Sequence, residues 1–175
     1  HSRNVEIPWG DVDDDPSADT VCGIGNRKNA AFSTALRAEG IAPFPGSLAL
    51  LNVLRDAGMA LGVVSSSKNA EEVLTSAGIR DRFTVVIDGV VAEREGLASK
   101  PSADMFRAGA EALGVVPETS IAVEDAVSGV ASAAAAGYGV VIGVDRGAGA
   151  DALRAAGATC IVDDLARFLD SSETA

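Results

Sequence analysis

Short apolar runs alternate with helix-like segments along most of the chain after Gly46. The runs are continuous rather than alternating, which is typical of strands that a parallel sheet buries on both faces. Between them, apolar residues recur at intervals of three and four, and several segments end at a glycine, as helices do. This order predicts a parallel sheet with right-handed crossovers. The predicted strands are 59–64, 84–87, 120–123, 139–144 and 159–162, and the predicted helices are 47–57, 69–77, 101–113, 126–136, 150–156 and 164–169.

The first 45 residues have a different pattern. Residues 1–20 are polar and without periodicity, which predicts an N-terminal strap rather than a packed element. From about residue 17 to 39 the apolar positions follow the helical spacing, and Gly23 and Gly25 predict a break within that segment. A turn at 43–46 ends it. We therefore expect residues 1–45 to be separate from an α/β core formed by residues 46–175.

Composition and charge exclude several classes of protein. Apolar types make up 47% of the residues, which is too much for a disordered chain. The formal net charge is −11, whereas binding to nucleic acid or an anionic membrane requires an excess of Lys and Arg. A phosphate ligand would therefore need local counter-charges, because exposed charges are screened beyond about 8–10 Å.

The cysteines and the lack of long apolar runs indicate the cellular compartment of the protein. Cys22 and Cys160 are far apart, so they predict neither a disulfide framework nor a zinc site, and each is expected to be a small buried apolar residue. No run is long enough to span a bilayer, and no signal-peptide pattern is present at the N-terminus. A cytoplasmic protein is expected.

The residues that follow the predicted strands are candidates for chemistry, since ligands of open parallel sheets bind beyond the carboxyl ends of the strands. Glu124 and Asp125 follow strand 120–123. Two adjacent carboxylates suit Mg²⁺, which prefers one or two carboxylates with water and phosphate oxygens. An equally good interpretation of this pair is that Asp125 caps the helix predicted to start at residue 126. Asp145 and Arg146, after strand 139–144, either border the site or belong to a surface turn.

Two further segments carry groups that bind anions. Lys100 precedes Pro101 at the start of a predicted helix and would supply a point charge for a phosphate, or else be a solvated surface lysine. The segment 65–69 offers hydroxyls and backbone N–H groups at a helix N-terminus, where anions bind. Its alternative interpretation is a cap by Ser67, with acidic residues in the first turn complementing the helix dipole.

These segments, in this order, resemble the haloacid dehalogenase (HAD) superfamily of phosphotransferases. Segments 62–65, 98–101 and 122–125 are similar to its second, third and fourth motifs. Segments 65–69, 100–106 and 123–129 resemble the β-phosphoglucomutase-like subgroup, and 26–30 is similar to a cap-domain helix of that subgroup. The resemblance implies a three-layer, Rossmann-like α/β fold, with part of a helical cap in residues 1–45 and the HAD-like core in residues 46–175.

The resemblance also implies a role for each matching residue. Ser65 would hydrogen-bond the transferring phosphoryl group, Lys100 would balance its charge, and Glu124 with Asp125 would hold Mg²⁺. Ser67, Lys68 and Asn69 would bind the second phosphate of a phosphosugar, which is not transferred. Arg27 and Lys28 would bind the substrate from the cap. The implied activity is Mg²⁺-dependent phosphoryl transfer on a sugar phosphate through an aspartyl-phosphate, by a β-phosphoglucomutase-like isomerase or by a phosphatase. No nucleic acid or membrane partner is expected.

One motif of the family is missing from the sequence. Its first motif is an apolar strand ending in Asp-x-Asp-Gly, which carries the nucleophile, whereas 11–13 and 13–15 follow no apolar strand and predict a solvated turn. We therefore expect the first strand to lie upstream of His1 and the 175-residue chain alone to be inactive. Two alternatives stay open: a trehalose-phosphate phosphatase, and a non-catalytic HAD-like module fused to further domains of a carbohydrate-processing protein.

Overall fold

The computed structural model describes residues 6–169, which divide between Ile41 and Ala42 into two compact units. In the first unit a loop leads into α1 (Val21–Glu39), where Thr20 Oγ1 accepts a hydrogen bond from the Gly23 backbone N–H at 2.9 Å. The helix runs through Gly23 and Gly25, so the predicted break is wrong. Gly23 has a packing role instead, because a Cβ there would lie within 3.0 Å of the Ala18 side chain and backbone.

The second unit alternates helices and strands in the order that the sequence predicts. Its helices are α2 (Pro45–Asp56), α3 (Ala70–Ser76), α4 (Gly89–Glu95), α5 (Asp104–Leu113), α6 (Val127–Ala136) and α7 (Ala150–Ala155). Its strands are β1 (Gly62–Val64), β2 (Val85–Ile87), β3 (Ile121–Glu124), β4 (Val140–Val144) and β5 (Cys160–Val162). Short 3₁₀ turns lie at Arg80–Arg82, Pro117–Thr119 and Leu165–Phe168.

All described strand pairs are parallel, which confirms the predicted α/β class. They form two ladders: β1 pairs with β2, and β4 lies between β3 and β5. Neighbouring residues of β4 face opposite layers, as strand geometry requires. Val141 packs among buried residues of α5 and α6, whereas Ile142 packs with Leu165 and Leu50 of α2. Helices therefore cover both faces of the β3-β4-β5 ladder.

Some predicted boundaries differ from the structure. The helix predicted from residue 101 begins at Asp104, and Pro101 lies in a turn before it, joined to Lys100 by a cis peptide bond. Helix α4 is absent from the prediction because its seven residues are too few to show the helical spacing of apolar positions. Asp88 is the N-cap residue of α4, and its buried Oδ1 accepts hydrogen bonds from the N–H groups of Val90 and Val91. The last predicted helix is only a 3₁₀ turn.

Two further expectations, about the cysteines and about membrane-spanning segments, can be compared with the fold. Cys22 and Cys160 are unpaired, as expected, but each is only half-buried rather than buried. Among residues 6–169, no helix combines the length and the apolar character needed to cross a lipid bilayer.

Candidate active site

Lys100 joins the carboxyl ends of β1 and β3. Its Nζ donates a hydrogen bond to the Val64 backbone oxygen at 2.9 Å and another to the Glu124 carboxylate. The ammonium group also lies 5.0 Å from the centre of the Phe106 ring, within the range of a cation–π contact. The Lys100 and Glu124 side chains are each only 11% exposed. Lys100 is therefore a buried partner of the site and not a solvated surface lysine.

Glu124 and Asp125 differ in their surroundings although they are adjacent. The Glu124 carboxylate lies against Gly129 in the first turn of α6, so closely that a Cβ at Gly129 would overlap it. The Asp125 side chain is 48% exposed and lies 3.6 Å from the Arg146 guanidinium. Ala126, not Asp125, is the N-cap residue of α6, and no side chain caps this helix. The capping interpretation of Asp125 is therefore wrong.

Arg146 borders the site and connects it to the start of α2. Its NH2 donates to Ser47 Oγ at 3.1 Å, and its Cζ lies 3.7 Å from the centre of the Phe44 ring. The preceding Asp145 fixes this turn, because its Oδ1 accepts hydrogen bonds at 3.0 Å from two later backbone N–H groups. Those hydrogen bonds, from Gly147 and Gly149, lower the pKa of the Asp145 carboxyl. The sequence alone does not decide whether Arg146 borders the site or belongs to a surface turn.

Three of these charged groups, Glu124, Asp125 and Arg146, line one cavity of about 280 Å³ at the strand ends. Its lining consists of Ser47, Val64, Val123, Glu124, Asp125, Val144, Arg146 and Leu165. In the described residues, no group of three or more His, Cys, Asp and Glu side chains forms a ready metal site. Two adjacent carboxylates nevertheless fit Mg²⁺, which commonly uses one or two protein carboxylates and completes its shell with water and phosphate oxygens. The space left for the Glu124 carboxylate by Gly129 is consistent with such a site.

The segment 65–69 forms a folded turn after β1. The Ser67 N–H donates to Ser65 Oγ at 3.2 Å, and the Asn69 N–H donates to Ser67 Oγ at 3.1 Å. Asn69, not Ser67, is the N-cap residue of α3, and no side chain caps this helix, so the predicted cap by Ser67 is wrong. Ser67 closes the preceding turn instead. Lys68 points outward and pairs with Glu93 at 2.6 Å, with both side chains more than half exposed.

Arg27 and Lys28 belong to the first unit, where both are exposed on α1. The Arg27 guanidinium donates to the Pro16 backbone oxygen at 3.0 Å, and the neighbouring Asn26 side chain donates to the oxygens of Val12 and Asp14. Part of the 26–30 motif therefore holds the loop of its own unit together. A contact of Arg27 or Lys28 with substrate stays a prediction.

Asp104 holds the loop that carries Lys100, which leads to a prediction about pH. Its carboxylate accepts hydrogen bonds from the Ala98 N–H at 3.0 Å and from Ser102 Oγ at 2.9 Å, and these lower its pKa. Such a group stabilises the fold above its unfolded pKa of about 3.9, and the stabilisation disappears as the pH falls through the lower folded pKa. In urea titrations below pH ~4, Asp104→Asn should lose less stability than the parent chain. Parallel losses in both proteins would contradict this role.

The fold and the site together define a class of protein. A family model described as haloacid dehalogenase-like hydrolase matches residues 10–137, and the chain belongs to this family. A protein named β-phosphoglucomutase from Mycobacterium bovis is 44% identical over 172 residues, covering 96% of this chain and 65% of that protein. A phosphoglycolate phosphatase from Rhodospirillum rubrum is 33% identical over 134 residues, covering 75% of this chain and 53% of that protein.

Solved structures agree with the family assignment. CbbY from Rhodobacter sphaeroides, in a complex with xylulose-(1,5)bisphosphate, superposes with a TM-score of 0.72 at 30% identity, covering 87% of this chain and 67% of CbbY. A β-phosphoglucomutase from Clostridium difficile gives a TM-score of 0.71 at 26% identity, covering 82% of this chain and 60% of that one. The chain thus spans slightly less than two thirds of the Mycobacterium bovis relative's length. The HAD resemblance and the Rossmann-like fold are confirmed.

Proposed function

We propose that the complete gene product catalyses Mg²⁺-dependent phosphoryl transfer on a sugar phosphate, through an aspartyl-phosphate. The observation that carries this proposal is the placement of Lys100, whose ammonium group holds Val64 O and the Glu124 carboxylate beside Asp125 at the carboxyl ends of parallel strands. The names of the relatives support a small phosphorylated substrate, since they include mutases and phosphatases. We infer that the reaction takes place in the cytoplasm. We also infer that no nucleic acid or membrane partner takes part, because the net charge of −11 disfavours binding to either polyanion.

Each charged group has a distinct part in this proposal. Lys100 keeps the Glu124 carboxylate in place and offsets negative charge where a phosphoryl group would lie. Ser65 Oγ accepts a hydrogen bond from the Ser67 N–H, and a hydroxyl in that state still has its own proton to donate to a phosphoryl oxygen. Glu124 and Asp125 would hold Mg²⁺, which when bound would neutralise charge on the phosphoryl oxygens.

The nucleophile must come from elsewhere in this proposal. Within the described residues, the acidic groups that line the cavity are Glu124 and Asp125, and both are assigned to the cation. An aspartate that attacks phosphorus would need its own position in the same cavity. We therefore propose that the 175-residue chain alone is inactive, and that the complete gene product supplies the attacking aspartate.

A non-catalytic module is the second candidate, and one observation favours it. Of the residues that the structure describes, the acidic side chains that line the cavity are Glu124 and Asp125, so no further carboxylate lies there to attack phosphorus. Such a module, fused to further carbohydrate-enzyme domains, would bind phosphosugars at the same cavity without turning them over.

One assay separates these functions. The complete gene product is incubated with a panel of sugar phosphates that includes hexose phosphates and trehalose phosphate, and both phosphate release and isomerised product are measured with Mg²⁺ and with EDTA. Phosphate release that requires Mg²⁺ identifies a phosphatase, including the trehalose-phosphate case if that substrate is preferred, and isomerisation identifies a mutase. Saturable binding without either product identifies the module and contradicts the proposed enzyme.

A prediction about Lys68 tests the distant phosphate site. Because Lys68 lies in the turn after β1 and both it and its partner Glu93 are more than half exposed, it can turn toward a substrate anion. We expect Lys68→Ala to raise the KM for phosphosugars by about tenfold, the loss of one charge-assisted hydrogen bond, and to affect aryl phosphates much less. Arg94→Ala is the matched control, since Arg94 also forms an exposed ion pair on this surface. Equal losses for both substrate classes would count against this assignment.

A further inference from the structure

Two ion pairs lie at the carboxyl ends of the strands. Lys100 pairs with Glu124, and Arg146 pairs with Asp125. Glu124, Asp125 and Arg146 line the cavity of about 280 Å³, and Lys100 is hydrogen-bonded to Glu124. In this cluster of four the cations balance the carboxylates, so its net charge is zero. A neutral cluster has little net attraction for a lone metal cation or for a lone phosphate.

The two pairs differ in how closely their partners are joined. The Lys100 ammonium donates directly to Glu124, and both side chains are only 11% exposed. Arg146 NH1 lies 3.6 Å from Asp125 Oδ2, beyond the roughly 2.7–2.9 Å of a direct hydrogen bond between charged groups. Asp125 can therefore exchange the guanidinium for a metal cation without breaking a direct hydrogen bond to Arg146.

Arg146 is held at the cavity by the start of α2. Its NH2 donates to Ser47 Oγ at 3.1 Å, and its Cζ lies 3.7 Å from the centre of the Phe44 ring. Phe44 is the N-cap residue of α2, and Ser47 lies in the first turn. Stacking on an aromatic ring leaves the N–H groups at the edge of a guanidinium able to donate. When a cation binds Asp125, Arg146 would keep its place and present N–H groups to an anion in the same cavity.

We propose that Arg146 is a phosphate-binding residue of this site and makes Mg²⁺ and phosphate bind to it together. The inference rests on the proposed function, since it takes Glu124 and Asp125 as the ligands of Mg²⁺. A lone Mg²⁺ is repelled by the two basic side chains, and a lone phosphate is repelled by the two carboxylates. Each ligand removes the repulsion that the other meets, so each raises the other's affinity by the same factor. The free enzyme should accordingly hold little Mg²⁺ and take it up together with its substrate.

Calorimetric titration of the complete gene product with Mg²⁺, without and with saturating inorganic phosphate, tests this inference. The affinities are expressed against free Mg²⁺. In the parent protein we expect phosphate to raise the Mg²⁺ affinity by about tenfold or more, within the range typical of coupled sites. Arg146→Met removes the guanidinium charge. It should raise the affinity for Mg²⁺ alone by about threefold, because a repelling charge is lost, and reduce the phosphate effect to about threefold or less.

Two further variants serve as controls. Arg154→Met removes an arginine that pairs with Asp151 on α7, with both side chains exposed, and this variant should behave as the parent. Arg146→Lys keeps the charge without the planar guanidinium. Mg²⁺ alone should therefore bind Arg146→Lys as weakly as it binds the parent, and more of the phosphate effect should remain than in Arg146→Met.

Three results would overturn the proposal. If Arg146→Met keeps the circular dichroism of the parent but binds Mg²⁺ more weakly with and without phosphate, Arg146 only holds Asp125 in place. An unchanged phosphate effect in Arg146→Met would remove the role of Arg146 and leave the proposed function intact. A parent protein that binds no Mg²⁺ under either condition would overturn both the inference and the proposed function.

Discussion

Lys100→Met is expected to destabilise the chain by about 3 kcal/mol, because it leaves the carboxylate of Glu124 without its partner in a site that is only 11% exposed. The Val64 oxygen loses its hydrogen bond in the same variant, and the contact with the Phe106 ring is lost as well. Urea unfolding of the parent and the variant, compared at equal m-values, measures the difference.

Lys68→Met is the control for this experiment. Lys68 also pairs with a glutamate, but both side chains are more than half exposed, so the loss should stay below about 1 kcal/mol. The two variants remove the same group, but only Lys100 combines a buried ion pair with a hydrogen bond to Val64 O and a contact with the Phe106 ring. If both cost the same free energy, Lys100 is not the buried link between β1 and β3 that the structure describes.

Gly129→Ala is expected to have the second large effect. The new methyl group would overlap the Glu124 carboxylate, so either this side chain leaves Lys100 or α6 shifts away from β3. Overpacking of this kind costs about 1–3 kcal/mol. In the complete gene product the displaced carboxylate should also weaken the response of turnover to Mg²⁺.

Gly25→Ala provides the matched control, since Gly25 lies inside α1 and a Cβ there meets nothing within 4 Å. Replacing a helical glycine by alanine without a clash stabilises a helix by about 0.5–1 kcal/mol. Circular dichroism melting curves of both variants are sufficient for the comparison. A Gly129→Ala protein as stable as the parent would show that Glu124 does not depend on the space at Gly129.

The sequence predicted the strands well because buried parallel strands are continuous apolar runs, and this signal is local. Helix α4 was not predicted, because its seven residues are too few to show a helical period. The predicted start of α5 at Pro101 is three residues too early, because proline occurs both in the first turn of a helix and in the turn before one. In the structure, hydrogen bonds to the Asp104 carboxylate from Ala98 and Ser102 hold the turn that precedes the helix.

The candidate site was predictable where its residues follow strands. Ser65, Glu124 and Asp125 needed only the rule that ligands bind at the carboxyl ends of parallel strands. The burial of Lys100 and the contact of Arg146 with Phe44 could not be read in this way, because each depends on segments far apart in the chain. The space at Gly129 depends on how α6 packs after β3, which the apolar pattern does not show.

The most direct test of the central claim is the turnover of phosphosugars by the Asp125→Ala variant of the complete gene product. Asp125 is half exposed and contributes to no buried contact, so the variant should fold normally. We predict a loss of kcat/KM by about a thousandfold or more, together with loss of the dependence on Mg²⁺. Asp163→Ala removes another exposed carboxylate of the same unit and should retain activity. Unchanged, Mg²⁺-dependent turnover in Asp125→Ala would contradict the assignment of this site.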